Sequence, residues 1–169
     1  MKNVIKAATC ALLLSACATM EPDGPSATAV VRPASGSQVH GEAKFTQVGS
    51  RVRVRAEIAG LSPGAHGFHI HEKGDCSAAD GMSTGGHFNP QSKKHGAPDA
   101  ADRHAGDLGN LVADEYGKAT LTLMVDGISV GKGANGVIGR GLIVHANADD
   151  LKTDPTGNAG GRYGCGVIE

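Results

Sequence analysis

Short runs in which apolar and polar residues alternate constrain the fold of this chain more than any other feature. The clearest run is Arg51–Ile58, in which every even-numbered residue is apolar and every odd-numbered residue is charged. Because successive side chains of a strand point to opposite faces, this pattern predicts a half-buried β-strand. Ala119–Val125 alternates in the same way, and Glu42–Gln47 does so more weakly. Further short runs that we interpret as strands are Thr28–Arg32, Leu108–Ala113, Val137–Ile138 and Leu142–His145.

The residues between these runs indicate turns. The chain has 26 glycines without a repeating period, and Gly, Pro, Asn and Asp occupy the gaps, whereas no stretch of useful length keeps a helical period. Many short strands separated by turns predict an all-β sandwich or barrel. Two stretches fit no strand, Glu72–Asp107 and Asp149–Arg162. Loops of this length in a compact domain usually carry function.

The N-terminus is typical of a secretory signal. Lys2 and Lys6 precede the apolar run Ala7–Leu14, which is too short to span a membrane. At the end of this signal-like segment, Leu14–Cys17 resembles the bacterial lipobox, in which the cysteine is lipidated and becomes the mature N-terminus. A plain signal peptide cut after an Ala-x-Ala-like site is the alternative.

The lipoprotein interpretation divides the chain into three parts. Residues 1–16 are the signal peptide, residues 17–28 form a flexible tether that begins at the lipidated Cys17, and residues 29–169 form the domain. Ala18 follows the cysteine, where an Asp would suggest retention in the inner membrane. We therefore expect a periplasmic protein, anchored to the outer membrane only through its N-terminal lipid.

Charge and composition argue against a nucleic-acid partner. The chain has 16 basic and 17 acidic residues, and its net charge of −1 falls to −3 when the signal peptide and its two lysines leave. A nucleic-acid-binding protein would show a basic excess. With no Trp, two Tyr and three Phe, a platform on which bases could stack is not expected either.

The eight histidines indicate metal chemistry. His69 and His71 lie two apart, so in a strand they share a face while Phe68 and Ile70 point into the core. Such a pair is half of a metal site. Ordinary polar surface is the alternative for this pair taken alone.

The long loop adds a second group, His87, His95, His104 and Asp107. Three imidazoles and a carboxylate form a closed tetrahedral set that suits Zn²⁺. A metal bound there would explain how the loop stays folded without a core of its own. His145 ends an apolar run, a position at which a histidine is more often a satisfied core residue than a ligand.

The cysteines predict one disulfide. Cys10 leaves with the signal and Cys17 carries the lipid, so Cys76 and Cys165 remain. Export means an oxidising compartment, in which a bond between these two is the economical interpretation and two free thiols are the alternative. The bond would close a loop of roughly 90 residues and stabilise the fold by about 3–5 kcal/mol.

Several motifs then occur in a fixed order. They are Gly67–Glu72, Gly86–Pro90, His95–Gly96, Arg103–Asn110, Val144–His145, Asp149–Asp150 and Gly157–Arg162. The ordered set resembles the copper/zinc superoxide dismutase family over about residues 29–168. The resemblance implies an antiparallel Greek-key sandwich or flattened barrel with two long functional loops. It also implies an antioxidant oxidoreductase that converts superoxide to dioxygen and hydrogen peroxide with copper and zinc ions as cofactors.

The resemblance assigns the site residues position by position. Copper would be bound by four histidines: His69, His71, His87 and His145. Zinc would be bound by three histidines and a carboxylate: His87, His95, His104 and Asp107. His87 would therefore bridge the two metals and carry a proton to the product. Asp149 would accept hydrogen bonds from His69 and His95, and Arg162 would hold the superoxide anion beside the copper.

One departure from the eukaryotic cytosolic pattern resembles the bacterial periplasmic class: Cys76 follows the paired histidines early. A second departure is Pro155, which stands where a steering lysine is common, so the steering of substrate must come from other residues. The bacterial class contains both monomers and dimers, so a homodimer is one expected assembly.

Overall fold

In the computed structural model the described part of the chain is residues 23–169. The predicted signal peptide, the lipidation site Cys17 and the first residues of the predicted tether lie outside it. Within residues 23–169 no helix is long and apolar enough to cross a membrane.

Eight antiparallel strands form a nearly closed barrel, which confirms the predicted all-β fold. They are β1 (Asp23–Pro33), β2 (His40–Val48), β3 (Arg51–Ala59), β4 (Gly64–His71), β5 (Asp107–Ala113), β6 (Ala119–Val125), β7 (Gly141–His145) and β8 (Arg162–Val167). Neighbouring strands follow the order β5-β4-β7-β8-β1-β2-β3-β6. This order puts β4 and β7 on the side of the barrel opposite β2 and β3.

The alternating pattern decides which face of each strand is buried. Val52 and Val54 of β3 are fully buried, and their register partners Gln47 and Phe45 lie on β2. The arginines between the buried valines point outward. The largest fully buried apolar side chains are Phe45, Phe68, Ile70, Leu108, Leu111, Leu142, Ile143 and Ile168. Each such side chain contributes about 1.5–3 kcal/mol through removal from water.

Strand β1 begins earlier than the sequence predicts, so the expected tether is wrong for residues 23–28. These residues belong to β1, which pairs with β2, and Ala27 and Ala29 are buried on its inner side. A register shift between Asp23 and Ser26 accommodates the glycine and proline that suggested a tether. The hydrogen-bonded ladder and the buried alanines outweigh the turn preference of these residues.

Two other strand predictions need correction. Val137–Ile138 lies in the loop between β6 and β7 and is not a strand. Its apolar character is explained by Val137, whose side chain is fully buried in the core. Strand β8 (Arg162–Val167) was not predicted, because its alternation is interrupted by glycines. Gly164 and Gly166 are required there, since a Cβ at either would collide with β1.

Two long loops leave the sheet on the side of β4, β7 and β8. The first, residues 72–106, joins β4 to β5 and contains one short 3₁₀ helix, Met82–Thr84. The second, residues 146–161, joins β7 to β8. Cys76 of the first loop is bonded to Cys165 of β8, which confirms the predicted disulfide. The loop is thereby fastened beside Ile143, the central residue of β7.

Candidate metal centre

The strand period aims the paired histidines of β4 at the two loops. Phe68 and Ile70 point into the core, so His69 and His71 point outward. β7 pairs with β4 and places His145 on the same outer face. All three histidines are nevertheless buried, because the long loops cover them.

Four histidines meet on this face. His69, His71, His87 and His145 each offer one ring nitrogen, and these nitrogens lie within 4.8 Å of one another. The atoms are Nδ1 of His69 and Nε2 of the other three, and each is buried without a hydrogen-bond partner among residues 23–169. An unsatisfied buried polar atom costs about 1–3 kcal/mol. Four of them converging on one point fit a metal ion, and an all-imidazole set suits copper.

The opposite ring nitrogens are hydrogen-bonded, which fixes the orientation of the rings. Nδ1 of His71 donates to the carbonyl oxygen of Gly85 at 3.0 Å, and Nδ1 of His145 donates to that of Gly160 at 3.2 Å. A donated hydrogen bond at one nitrogen leaves the electron pair on the other nitrogen free to bind a metal.

A second group surrounds one carboxylate oxygen. Oδ1 of Asp107 lies 2.9 Å from Nδ1 of His87, 3.1 Å from Nδ1 of His95 and 3.2 Å from Nδ1 of His104. Ligands about 2.0–2.1 Å from a tetrahedral zinc ion lie about 3.3 Å apart, so these spacings fit zinc. The other oxygen of Asp107 accepts hydrogen bonds from the backbone N–H groups of Gly96 and His104.

His87 is the residue common to these two groups. Its Nδ1 faces Asp107, and its Nε2 is the unpartnered nitrogen of the four-histidine group. Backbone hydrogen bonds of the next residue hold it there: Phe88 N–H donates to Ile70 at 2.8 Å, and the Phe88 carbonyl accepts from Gly106 at 2.9 Å. The ring is therefore positioned from β4 as well as from its own loop.

Asp149 links the two groups from behind. Its two carboxylate oxygens accept hydrogen bonds from Nε2 of His69 and Nε2 of His95, both at 2.8 Å. The Asn110 side chain accepts from the Asp149 N–H at 2.8 Å and donates to its carbonyl at 2.9 Å. Gly157 has a φ of 61° and packs against the carboxylate so closely that a Cβ would collide with it.

Burial keeps the four-histidine group neutral in the metal-free protein. Removal from water lowers the pKa of His87 to about 4 and that of His145 to about 3. The same cause lowers the pKa of His69 and places that of His71 well below its ordinary value. Neutral imidazoles keep the electron pairs that a metal needs.

His95 behaves oppositely. Burial alone would lower its pKa, but hydrogen bonds to Asp107 and Asp149 outweigh burial and raise the pKa to about 10. Burial would raise the pKa of each of these carboxyl groups, and their hydrogen bonds with the surrounding histidines lower both instead. The centre therefore holds two carboxylates that a bound cation would stabilise.

Arg162 lies at the edge of the four-histidine group. Its guanidinium donates to the carbonyl of Gly81 at 2.9 Å, to Oγ1 of Thr84 at 2.8 Å and to the carbonyl of Gly85 at 2.8 Å. The Gly85 carbonyl also accepts from His71, so the arginine and this histidine share one acceptor. The structure thus brings the predicted anion-binding residue to the predicted copper ligands.

The remaining histidines have other partners. His66 is buried, and its ring nitrogens contact the carbonyl oxygens of His145 and Ser62, both at 2.9 Å. His40 is exposed and contacts the carbonyl of Gln38. Neither lies in a group that could hold a metal among the described residues.

Sequence reasoning missed Arg140 and assigned no role to Asn110. The Arg140 guanidinium lies 3.6 Å from the centre of the Phe88 ring and donates to the Glu72 carbonyl at 2.9 Å. Phe88 and Glu72 directly follow His87 and His71, so Arg140 supports the backbone beside two ligands. No pattern could have found Arg140, whereas Asn110 ends the motif Arg103–Asn110 and could have been examined.

A family model and two relatives of this chain carry the same description. The family model of copper/zinc superoxide dismutase (SODC) matches residues 39–168. Superoxide dismutase [Cu-Zn] 2 of Brassica juncea is 45% identical over 141 residues, which are 79% of this chain and 91% of that protein. The extracellular superoxide dismutase [Cu-Zn] of Drosophila melanogaster is 43% identical over 175 residues, 98% of this chain and 96% of that protein.

A solved structure agrees with these relatives. The crystal structure of the clock protein EA4 matches with a TM-score of 0.76 and 47% sequence identity, covering 85% of this chain and 92% of that one. The two relatives come from a plant and an insect. The bacterial periplasmic class therefore stays a prediction.

The lowered pKa values predict how the metal-free protein responds to acid. We expect its free energy of unfolding to fall between about pH 6.5 and pH 4, because the unfolded histidines, with pKa near 6.5, bind protons before the buried ones do. Protonated His95, whose pKa is raised, also contributes to the free energy of unfolding. That contribution is fully present below pH 6.5, so it stays constant in this window. Urea unfolding in the presence of a chelator measures the effect.

A His145→Asn variant is the control for this experiment. It removes one of the groups with a lowered pKa, so its stability should depend less steeply on pH over the same window. An unfolding midpoint that stays constant or rises as the pH falls would contradict the assignment of buried, neutral histidines.

Proposed function

The chain belongs to the copper/zinc superoxide dismutase family, and on that basis we propose which role each of its site residues has in the reaction. The protein is an enzyme that converts two superoxide anions and two protons into dioxygen and hydrogen peroxide. Copper, when bound, supplies one-electron chemistry by alternating between Cu(II) and Cu(I), while zinc supplies a redox-silent cation. One observation carries the proposal: the His87 ring belongs to both ligand groups at once.

The proposed copper ligands are His69, His71, His87 and His145. Their four converging nitrogens support this assignment, because each is buried and none has a hydrogen-bond partner within the described strands and loops. His69 is held from behind by the Asp149 carboxylate, and such support raises the basicity of a ligating imidazole.

The proposed zinc ligands are His87, His95, His104 and Asp107. The near-tetrahedral spacing around Asp107 Oδ1 supports them. Because three of the four come from one loop, this group also has a structural task. Zinc binding would hold residues 72–106 in the conformation that covers the copper ligands.

We assign the proton to Nε2 of His87. That nitrogen can hold a proton only while it is not bound to copper. Because it is buried and has no hydrogen-bond partner among residues 23–169, a proton bound there would pass to the oxygen species that reacts beside it. Nδ1 stays beside Asp107 meanwhile, which keeps the ring in place. His87 can thus deliver a proton to the product without losing its position.

Arg162 is the proposed binding residue for superoxide. A guanidinium forms strong charge-assisted hydrogen bonds to an anion, and three fixed acceptors orient this one. The mature chain carries a net negative charge, which repels superoxide at long range. A fixed cation at the copper side opposes that repulsion locally, as focusing in a cleft allows.

For localisation, we propose export to the periplasm and lipid anchoring at Cys17 to the outer membrane, as in the bacterial periplasmic class. The Cys76–Cys165 disulfide supports export because such bonds persist in oxidising compartments. The signal-like residues 1–16 and the lipobox-like Leu14–Cys17 support the lipid.

For assembly, we propose that two copies pair in solution. Val112, on the terminal strand β5 of the sheet, and Tyr116, in the turn that follows it, are large side chains with 69% and 78% of their surface exposed. They offer apolar area for an interface. Sedimentation of the metal-loaded protein should give the mass of a dimer, and a monomer mass at all concentrations would exclude this assembly.

Substitution of the shared histidine tests the ligand sets. His87→Ala should weaken the binding of both metals, whereas His145→Ala should weaken copper binding by at least about tenfold and leave zinc bound. Metal analysis after dialysis measures both ions. His40→Ala, which alters an exposed histidine, should retain both metals. Equal loss of zinc from the His87 and His145 variants would refute the assignment.

Substitution of Arg162 tests its role in anion binding. Arg162→Ala should lower kcat/KM by about 10- to 100-fold, because it removes a charge-assisted hydrogen bond worth about 1.5–3 kcal/mol. It should also flatten the dependence of the rate on salt. Arg162→Lys keeps the charge and should restore part of that salt dependence. Unchanged rates in the alanine variant with both metals bound would remove Arg162 from the mechanism.

The lipid anchor has a direct test. The mature protein should begin at Cys17 with a diacylglyceryl modification, which mass spectrometry of the N-terminal peptide detects. Cys17→Ser should abolish the modification and release the protein from the membrane fraction. A mature protein that begins at another residue would show a plain signal peptide instead.

A further inference from the structure

A concavity on the outer face of strands β1, β2 and β3 is lined mainly by basic and hydroxyl side chains. It has a volume of about 180 Å³, and its lining includes Ser26, Lys44, Thr46, Arg53 and Arg55. We call it the cationic concavity. One water has a share of about 30 Å³ in the liquid, so the space is large enough for a phosphate group.

The strand register builds this concavity. Thr46 of β2 stands between Ser26 of β1 and Arg53 of β3, and the two short hydroxyl side chains beside the long arginine leave a depression. One step along the strands, Lys44 lies directly opposite Arg55. Six polar side chains from three strands, Asp23 among them, therefore line this depression.

The concavity holds positive charge that the protein does not neutralise. Like charges directly opposite each other across two strands destabilise a sheet. Within residues 23–169, neither Lys44 nor Arg55 forms an ion pair, and the one carboxylate in the lining, Asp23, is 2.6 Å from Arg53. Glu42 and Glu57 face each other in the next row of the sheet and are exposed. The signs are thus segregated, with an excess of cations in the concavity.

This lining has the chemistry of a phosphate site. Guanidinium groups match the geometry of phosphate oxygens, an ammonium group adds a point charge, and hydroxyls donate hydrogen bonds. We propose that the cationic concavity binds the phosphate groups of anionic lipid headgroups. The inference rests on the proposed lipid anchor. It adds a contact between the folded domain and the membrane to the contact through the lipid on Cys17, which is the one expected from the sequence.

The position of the concavity in the chain argues for a lipid rather than for free phosphate. Asp23, the first described residue, forms part of its rim through the bond to Arg53. Only six peptide units separate Asp23 from Cys17, and they span at most about 20 Å. An acyl group on Cys17 would therefore hold the concavity near the headgroup layer.

The metal centre lies on the other side of the barrel. His69 and His71 point outward from β4, whereas Arg53 and Arg55 point outward from β3 across the shared core. Contact between the cationic concavity and a membrane would thus turn the metal centre towards the aqueous space, where superoxide has free access.

Vesicle binding without the lipid tests this proposal independently of Cys17. The probe is the metal-loaded protein that begins at residue 17 and carries Cys17→Ser, so every described strand is retained. Phosphatidylcholine vesicles containing phosphatidylglycerol should bind it, and pure phosphatidylcholine vesicles should not. Lys44→Gln with Arg55→Gln should weaken binding by about 25-fold, since each basic residue near an anionic surface contributes about fivefold.

The matched control removes two charges elsewhere, with Lys118→Gln and Lys132→Gln, which alter exposed lysines outside the concavity. This variant should bind like the parent, and all variants should keep dismutase activity. Equal weakening in both double variants, or no binding to anionic vesicles, overturns the proposal. Binding of inorganic phosphate at Lys44 and Arg55 without vesicle binding also overturns it, in favour of a free-phosphate site. Because no acyl group is present, failure here leaves the lipidation result unaffected.

Discussion

The structure depends on the burial of imidazole nitrogens that have no hydrogen-bond partner in the described part of the chain. Nδ1 of His69 and Nε2 of His71, His87 and His145 converge in a space from which both loops exclude water. Such an arrangement is unfavourable for a bare polypeptide. A cation that accepted the four electron pairs would make it favourable, and in the proposed function copper is that cation. His87 extends the same dependence to the second group, because its other nitrogen faces Asp107.

This dependence explains how two long loops keep one conformation. Neither loop has a hydrophobic core of its own, but each is fastened to the barrel at several points. The disulfide holds the first loop to β8, the backbone of Phe88 binds Ile70 and Gly106, and Asp149 of the second loop reaches histidines of both groups. Metal binding and loop order are therefore coupled, and each stabilises the other.

The sequence predicted the strands in which alternation is uninterrupted, such as β3 and β6. It also identified as candidates the residues that converge in the metal centre. It failed where local preference and long-range pairing disagree. Residues 23–28 look like a linker but pair with β2, and the glycines of β8 hide a strand that needs them for close contact with β1. Arg140 could not be predicted, because its partners Phe88 and Glu72 lie far away in the sequence.

The two sides of the barrel differ for a reason that follows from the strand period. Outward positions of β4 and β7 carry imidazoles that the loops bury, while outward positions of β2 and β3 carry charged side chains that water reaches, with the cations grouped in the concavity. A chain with a net negative charge thus keeps positive charge at two separate places, Arg162 beside the histidines and the cationic concavity opposite. In the proposed functions each of them holds an anion: superoxide at the metal centre, and a lipid headgroup at the surface beside Asp23, the first described residue. The same hydrophobic core supports both sites, because alternate side chains of each strand pack into the core while the side chains between them face the surface.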